Sequence, residues 1–206
     1  MAKNEKLISR RQFFRLGGTS LLVMGGSSLF LEGCTKEQVV VFVDYLVELS
    51  QLINNYRKQN NLTEIYISSS LTAVALKHVI DLNTYHPEKT CGDKGNLHSW
   101  SNNGNWQGKY GESAWKGCCY PDDHSNKTCM WEKPKEITNY PDNGYEISHW
   151  GSGTVTAQSA LASWKTSSGH NDVILNKGMW SNLTWKAIGA AYGGNYACAW
   201  FGEVKA

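Results

Sequence analysis

Apolar residues recur every three to four positions from Glu37 to Tyr56, at Val40, Phe42, Val43, Leu46, Leu49, Leu52, Ile53 and Tyr56. That spacing lays one broad apolar stripe along a helix. The helix runs on into Arg57-Lys58-Gln59, and Asn60-Asn61 stops it. Ile65-Tyr66-Ile67 reads as a short strand or an extended link. The serines at 68–70 offer caps for a second amphipathic helix, Leu71–Tyr85, whose apolar face carries Leu71, Val74, Ala75, His78, Val79 and Leu82. Pro87 comes just after it. From Cys91 to Asn143 no period lasts, and Gly, Asn, Asp, Pro and Trp dominate, which predicts a long loop region. Helical spacing returns over Thr154–Ser167, with Thr154 or Thr156 as cap, and again briefly over Asn171–Asn176. The chain closes with two apolar runs, Trp185–Tyr192 and Tyr196–Gly202, on either side of Gly193-Gly194-Asn195, the pattern of a hairpin. Helices come first and strands last, without regular alternation. The predicted class is α+β, with helices covering a sheet.

Composition sharpens this picture in two ways. Apolar residues make up 41% of the 206 positions and charged residues 18%, which excludes a disordered chain, and nine Trp supply material for a sizeable core. The formal charge of +2 is misleading. Five of the basic residues (Lys3, Lys6, Arg10, Arg11, Arg15) and only two acidic ones (Glu5, Glu32) lie in the first 33 positions. The rest of the chain is almost neutral and lacks the field that gathers nucleic acid, so no nucleic-acid partner is expected.

Those first residues read as an address. Ser9-Arg10-Arg11-Gln12-Phe13-Phe14-Arg15 precedes an uncharged stretch, Leu16–Leu31, too short and too rich in Gly and Ser to span a bilayer. The Arg pair resembles a twin-arginine export signal. The stretch ends Leu31-Glu32-Gly33-Cys34, which resembles a bacterial lipobox, although Glu32 is unusual two positions before the cysteine. The expected organisation is a signal peptide over 1–33 and a single domain over 34–206. Lipidated Cys34 would tether that domain to the membrane of a bacterial cell envelope, on the extracytoplasmic side.

Five cysteines remain. An oxidising envelope favours disulfides, and Cys91, Cys118, Cys119 and Cys129 cluster in the turn-rich stretch. Neighbouring Cys118 and Cys119 point apart in extended chain, so each is expected to serve a different bridge, and the spacing does not choose the pairing. Cys198, inside the apolar run Tyr196–Phe201, is left over as a buried thiol. The cluster lacks two separated C-x-x-C pairs, which argues against zinc there.

The groups that could carry chemistry are scattered. His78 lies on an apolar face and reads as a satisfied core or rim residue. His86, His124 and His149 have no telling context. His98, in Gly95-Asn96-Leu97-His98-Ser99-Trp100, and His170, in Ser168-Gly169-His170, sit where the chain turns. Glu146 lies among turn residues beside Ile147. Two imidazoles and a carboxylate from separate segments can form a divalent-metal site or an acid–base pair. No G-x-S-x-G elbow, H-E-x-x-H motif or P-loop is present.

In order along the chain, these motifs resemble the CAP superfamily, the SCP domain of cysteine-rich secretory proteins, antigen 5 and pathogenesis-related 1. The resemblance covers roughly Val39–Glu203. Leu46–Asn60 and Leu71–Leu82 resemble the family's first two helices, and His98-Ser99 resembles its first histidine. Gly144-Tyr145-Glu146-Ile147 resembles a loosened Gly-Glu-Asn-Ile motif. Trp164–Leu175, with Gly169-His170, resembles the bacterial Trp-x-x-Ser-Pro-Gly-His-x-x-x-Ile-Leu block, the most specific of the set. Ile188–Tyr192 and Tyr196–Gly202 resemble the closing hairpin. The resemblance implies an α–β–α sandwich with a long disulfide-rich loop insertion. It also implies a shallow cleft where His98, Glu146 and His170 meet, with room for a divalent metal, Zn or Mg. Gly111-Glu112-Ser113 resembles the animal form of the glutamate motif, so Glu112 competes with Glu146 or completes the cleft. The second acidic residue common after the helix tryptophan is replaced here by Lys165, Thr166 and Ser167.

The function so implied is a binding module that presents its cleft and loops to a lipid, glycan or protein ligand. The alternative is a metal-dependent or His/Glu-based hydrolase of the envelope. Replacing Cys34 by serine is expected to release a soluble form of the chain. Unchanged membrane fractionation of that variant contradicts the lipid anchor.

Overall fold

The computed structural model describes residues 36–91, 95–103 and 115–206, with the backbone alone over 36–46. The expected signal peptide over 1–33, Cys34 and Glu112 lie outside the described residues. The first apolar stripe forms α1, Lys36–Gln59, with Arg57 and Lys58 in its last turn, where cations complement the helix dipole. β1 is Tyr66–Ile67. Ser68 caps α2, Ser69–Tyr85, its hydroxyl accepting from the Leu71 N–H at 3.3 Å. His86 ends α2 in the left-handed region, and Pro87 opens the single turn of α3, Pro87–Thr90.

The stretch expected as loop contains two short helices, α4 (Lys127–Trp131) and α5 (Lys133–Ile137). Five residues are too few for a helical period to declare itself. β2 is Tyr145–Trp150. Thr156 and Ser159 cap each other reciprocally at the start of α6, Ala157–Thr166. α7 begins at Ser168 rather than Asn171 and ends at Leu175. β3, Ala187–Gly193, and β4, Tyr196–Gly202, are the expected hairpin.

The strands form one sheet in the order β1-β3-β4-β2. β1 runs parallel to β3, and the β3–β4 and β4–β2 pairs are antiparallel. Both faces are covered, so β3 and β4 read as unbroken apolar runs whose alternate side chains enter different cores. On one face Ala187, Ala191, Tyr196, Cys198 and Trp200 pack with Leu71, Val74, Val79 and Leu82 of α2 and with Trp100, Trp115 and Tyr120. On the other, Ile188, Ala190, Ala197, Ala199 and Phe201 pack with Leu49 and Ile53 of α1, Trp164 of α6 and Val173–Leu175 of α7. This is the α–β–α sandwich. The fit is closest where α2 crosses β3: a Cβ at Gly189 would lie 2.0 Å from the Thr72 nitrogen, so only glycine lets the backbones approach this far.

Disulfides Cys91–Cys119 and Cys118–Cys129 fasten the long loop, each of the neighbouring cysteines taking a different partner, and Cys198 is buried and unpaired. Trp100 and Cys118 exchange backbone hydrogen bonds at 2.7 and 2.9 Å, which lays the 95–101 segment beside 117–120. Among the described residues five tryptophans (Trp100, Trp115, Trp164, Trp185 and Trp200) are core residues.

Candidate functional site

β2 positions Glu146. Register with Trp200 on β4 turns its side chain to the α2 face of the sheet, while Ile147 enters the opposite core. The carboxylate is fully buried. A buried charge needs partners that compensate it, and both oxygens have one: Oε1 is bonded to Nδ1 of His78, and Oε2 to Nδ1 of His98 at 2.8 Å.

His98 arrives on the loop segment that the disulfides hold. Its N–H donates to Asn96 Oδ1 at 3.0 Å, and the next N–H, of Ser99, donates to the Asn96 carbonyl at 2.9 Å. Asn96 in turn donates through its own N–H to the Tyr120 carbonyl at 3.1 Å. The Tyr120 N–H donates to Ser99 Oγ at 3.1 Å, and the Tyr120 ring meets the His98 ring edge-on at 5.1 Å. Cys119, one residue earlier, is tied to Cys91. The loop is therefore fixed by three kinds of bond on either side of His98, whose side chain is 17% exposed. A carboxylate oxygen only accepts, so Nδ1 of His98 carries the proton toward Glu146. In the neutral ring Nε2 is then the bare nitrogen.

His78 is brought by α2, and it is completely buried. Its ring stacks on Trp100, centroids 4.1 Å apart and planes 10° from parallel, with Trp200 tilted against it at 6.5 Å. Its Nε2 faces the Ser99 carbonyl at 3.0 Å. Cys198 Sγ lies 3.7 Å from Nδ1 and accepts from Ser148 Oγ at 3.6 Å. The sequence reading of His78 as a satisfied core residue is right about burial and silent about what satisfies it. The partner is the glutamate of the cleft. The signal that could have found it is the alternation Glu146, Ile147, Ser148 in a short strand, which puts a polar pair on the face that α2 covers.

His170 stands on the first turn of α7. It lies close enough to His98, His149 and Glu146 for their charges to act on it, but among the described residues no hydrogen bond or ion pair joins it to them. Of the residues expected in the cleft, then, His98 and Glu146 are bonded, His170 is an electrostatic neighbour, and Glu112 lies outside the described residues. A divalent ion held jointly by His98, Glu146 and His170 does not fit this arrangement, because among the described residues these three do not bring their ligand atoms within 4.8 Å of one another. A different group, His78 Nδ1, a Glu146 oxygen and Cys198 Sγ, has its three atoms within 4.8 Å of one another, a spacing that could hold a metal ion. Burial and the charge of Glu146 push the Cys198 thiol well up, toward the protonated form, which is not the form that ligates.

Comparison with known families matches residues 51–197 to the family described as "CAP: Cysteine-rich secretory protein family". No curated protein matches the sequence. Solved structures that resemble the chain include a cysteine-rich secretory protein from Staphylococcus aureus subsp. aureus Mu50 (14% identity, TM-score 0.47, covering 79% of this chain and 39% of that one). An outer surface protein from Borrelia burgdorferi is similar at 16% identity and TM-score 0.46, covering 84% of this chain and 96% of that one. An extracellular protein containing a SCP domain from Bacillus anthracis str. Ames is similar at 14% identity and TM-score 0.48, covering 82% and 43%. The chain thus spans less than half the length of the staphylococcal and Bacillus chains it resembles.

The site makes stability depend on pH. Burial alone would raise the Glu146 pKa, but the charge and bond of His78, with the bond and charge of His98, outweigh it and bring it from 4.5 to about 2. That stabilisation is present above 4.5 and is lost as the pH falls toward about 2. Burial, then the charges of His98 and His149, lower His170 from 6.5 to about 4. Between those values the unfolded chain binds a proton at this residue that the folded chain refuses, so stability falls as the pH drops from 6.5 toward about 4. Thermal melts are expected to show Tm declining through that window, and His170→Gln should flatten the decline. A variant with the same slope as the parent would contradict the assignment.

Proposed function

This chain belongs to the CAP family of cysteine-rich secretory proteins, and from that membership we propose that it is an extracytoplasmic binding module anchored to a bacterial envelope through Cys34. Its working surface is the cleft at His98 and His170, and its ligand is a lipid, glycan or protein of that environment. The loop held by Cys91–Cys119 and Cys118–Cys129 forms one rim, a rigid support of the kind on which recognition residues are carried. Membership of a family of secretory proteins supports the extracytoplasmic part of this reading.

The observation that carries the reading is the state of His98. Glu146 orients its ring, yet among the described residues no hydroxyl or thiol is bonded to its other nitrogen. Nucleophilic catalysis needs such a group within hydrogen-bond reach of the base. An imidazole held by a carboxylate and free on its outer nitrogen is suited to bind a donor on a ligand. The same dyad is the one feature that favours the hydrolase reading, since a carboxylate-oriented imidazole can also activate water.

The test compares the parent chain with a His98→Ala/His170→Ala variant on three probes: purified cell-wall glycan, lipid vesicles, and immobilised envelope peptides. Retention of the parent on one of them, weakened at least about tenfold in the variant, is the expected result. Ester and peptide hydrolysis should be no faster with the parent than with the variant. Turnover that the parent shows and the variant loses would replace binding by hydrolysis. Equal retention of both would remove the cleft from the binding surface.

A further inference from the structure

Both ring nitrogens of His78 face oxygen atoms that only accept. Nε2 is 3.0 Å from the Ser99 carbonyl, and Nδ1 is bonded to Oε1 of Glu146. A neutral imidazole has one N–H and can satisfy one of these, leaving a lone pair against an oxygen. A proton on the Glu146 carboxyl would relieve it, but the two imidazoles hold that carboxyl well below its ordinary range, so in a site with no exposure to water the mismatch falls on the ring. We propose that His78 is a buried imidazolium, protonated on both nitrogens, and that it is a positioning residue: it holds Glu146 so that Glu146 fixes His98 with Nδ1–H inward and Nε2 bare at the cleft. The group of His78, Glu146 and Cys198, whose spacing could hold a metal ion, is then held by a proton.

The charges around the ring agree. Glu146 on β2 meets His78 directly, and the Asp81 carboxylate, one turn along α2, also favours the cation. Asp81 is itself buried, accepting from the Ser101 N–H at 2.9 Å and from Ser101 Oγ at 2.5 Å. A cation on that layer is Lys133 on α5, which lies over the far ring of the stack, Trp100, at 5.7 Å. Its ammonium is already paired with Glu136 at 2.6 Å. Cys198 on β4 faces Nδ1 as a thiol and adds no charge. His98 meets only the other oxygen of Glu146. Two buried carboxylates therefore surround a ring that can supply one positive charge, and Trp100, stacked flat on that ring, is well placed to receive it. Burial opposes the charged ring, but the charge and bond of Glu146 prevail and its pKa is raised.

Only the last step, that the bare Nε2 serves a ligand, rests on the cleft being the binding surface. The protonation state does not, and the two fail separately. Nitrogen-15 spectra of the imidazoles in the intact chain read it without any mutation. His78 is expected to keep protons on both nitrogens at neutral pH, where an ordinary histidine is mostly neutral. Neutral His98 should show its proton on Nδ1. In Glu146→Gln, His78 should become at least about tenfold easier to deprotonate. In His78→Gln, which removes only the charge and one donor, folded protein should lose the single tautomer at His98, a change that a merely space-filling role for His78 would not produce. A bare nitrogen on His78 near neutrality in the parent overturns the proposal. So does one zinc per chain that is lost in Cys198→Ala, or a His98 tautomer that survives His78→Gln unchanged. If His78→Gln does not fold, the parent and Glu146→Gln spectra still decide the protonation state.

Discussion

A carboxylate sealed from water is tolerated only when its charge is met, and Glu146 is met twice. Its two imidazole partners come from different parts of the chain, His78 from α2 and His98 from the disulfide-fastened loop, while Glu146 itself belongs to the edge strand β2. One side chain thereby ties together the helix on one face of the sheet, the last strand of that sheet, and the disulfide-fastened loop. The bond to His98 has a structural and a functional aspect at once. It compensates a buried charge, and it decides which nitrogen the ring offers outward.

The surroundings are arranged to keep that cluster dry and rigid. Trp100 stacks on His78 and is itself held edge-on by Trp115 and Trp200, with centroids 5.4 and 6.3 Å away. Lys133 anchors the other side of this layer by donating to the Lys116 carbonyl at 2.5 Å and to Glu136. The bridges do for the loop what a longer helix would do elsewhere. Without them the described segments around His98 would be held by hydrogen bonds alone, those between Asn96–Trp100 and Cys118–Tyr120 and those of Ser101 to Asp81, at a larger cost in chain entropy.

Much of this was legible in the sequence because periodicity survives wherever an element buries one face. α1, α2, α6 and the closing hairpin follow from apolar spacing and their caps, and the two-bridge arrangement with Cys198 left over follows from counting cysteines in an oxidising compartment. The sequence is mute where the determinant is short or long-range. β2 is hidden because its alternation is brief and its polar positions, Glu146 and Ser148, are buried rather than facing water. α4 and α5 are too short to show a period. His78 sits at an apolar position of α2, and nothing local says that a glutamate 68 positions later will meet it. Conversely, His98 and Glu146 each stand out by the turn residues beside them, but that they meet was legible only through the family resemblance.

The central claim is that His78 and Glu146 act as one unit, and a double-mutant cycle on folding stability measures it most directly. His78→Leu and Glu146→Met each strand a charge or a hydrogen-bonding group in the core, and each alone should cost about 3–5 kcal/mol. Together they leave no such group between the two, so the double variant should be at least about 2 kcal/mol more stable than the sum of the single losses allows. Strictly additive losses would show that the two residues do not depend on each other, and would contradict a cleft built on their pairing.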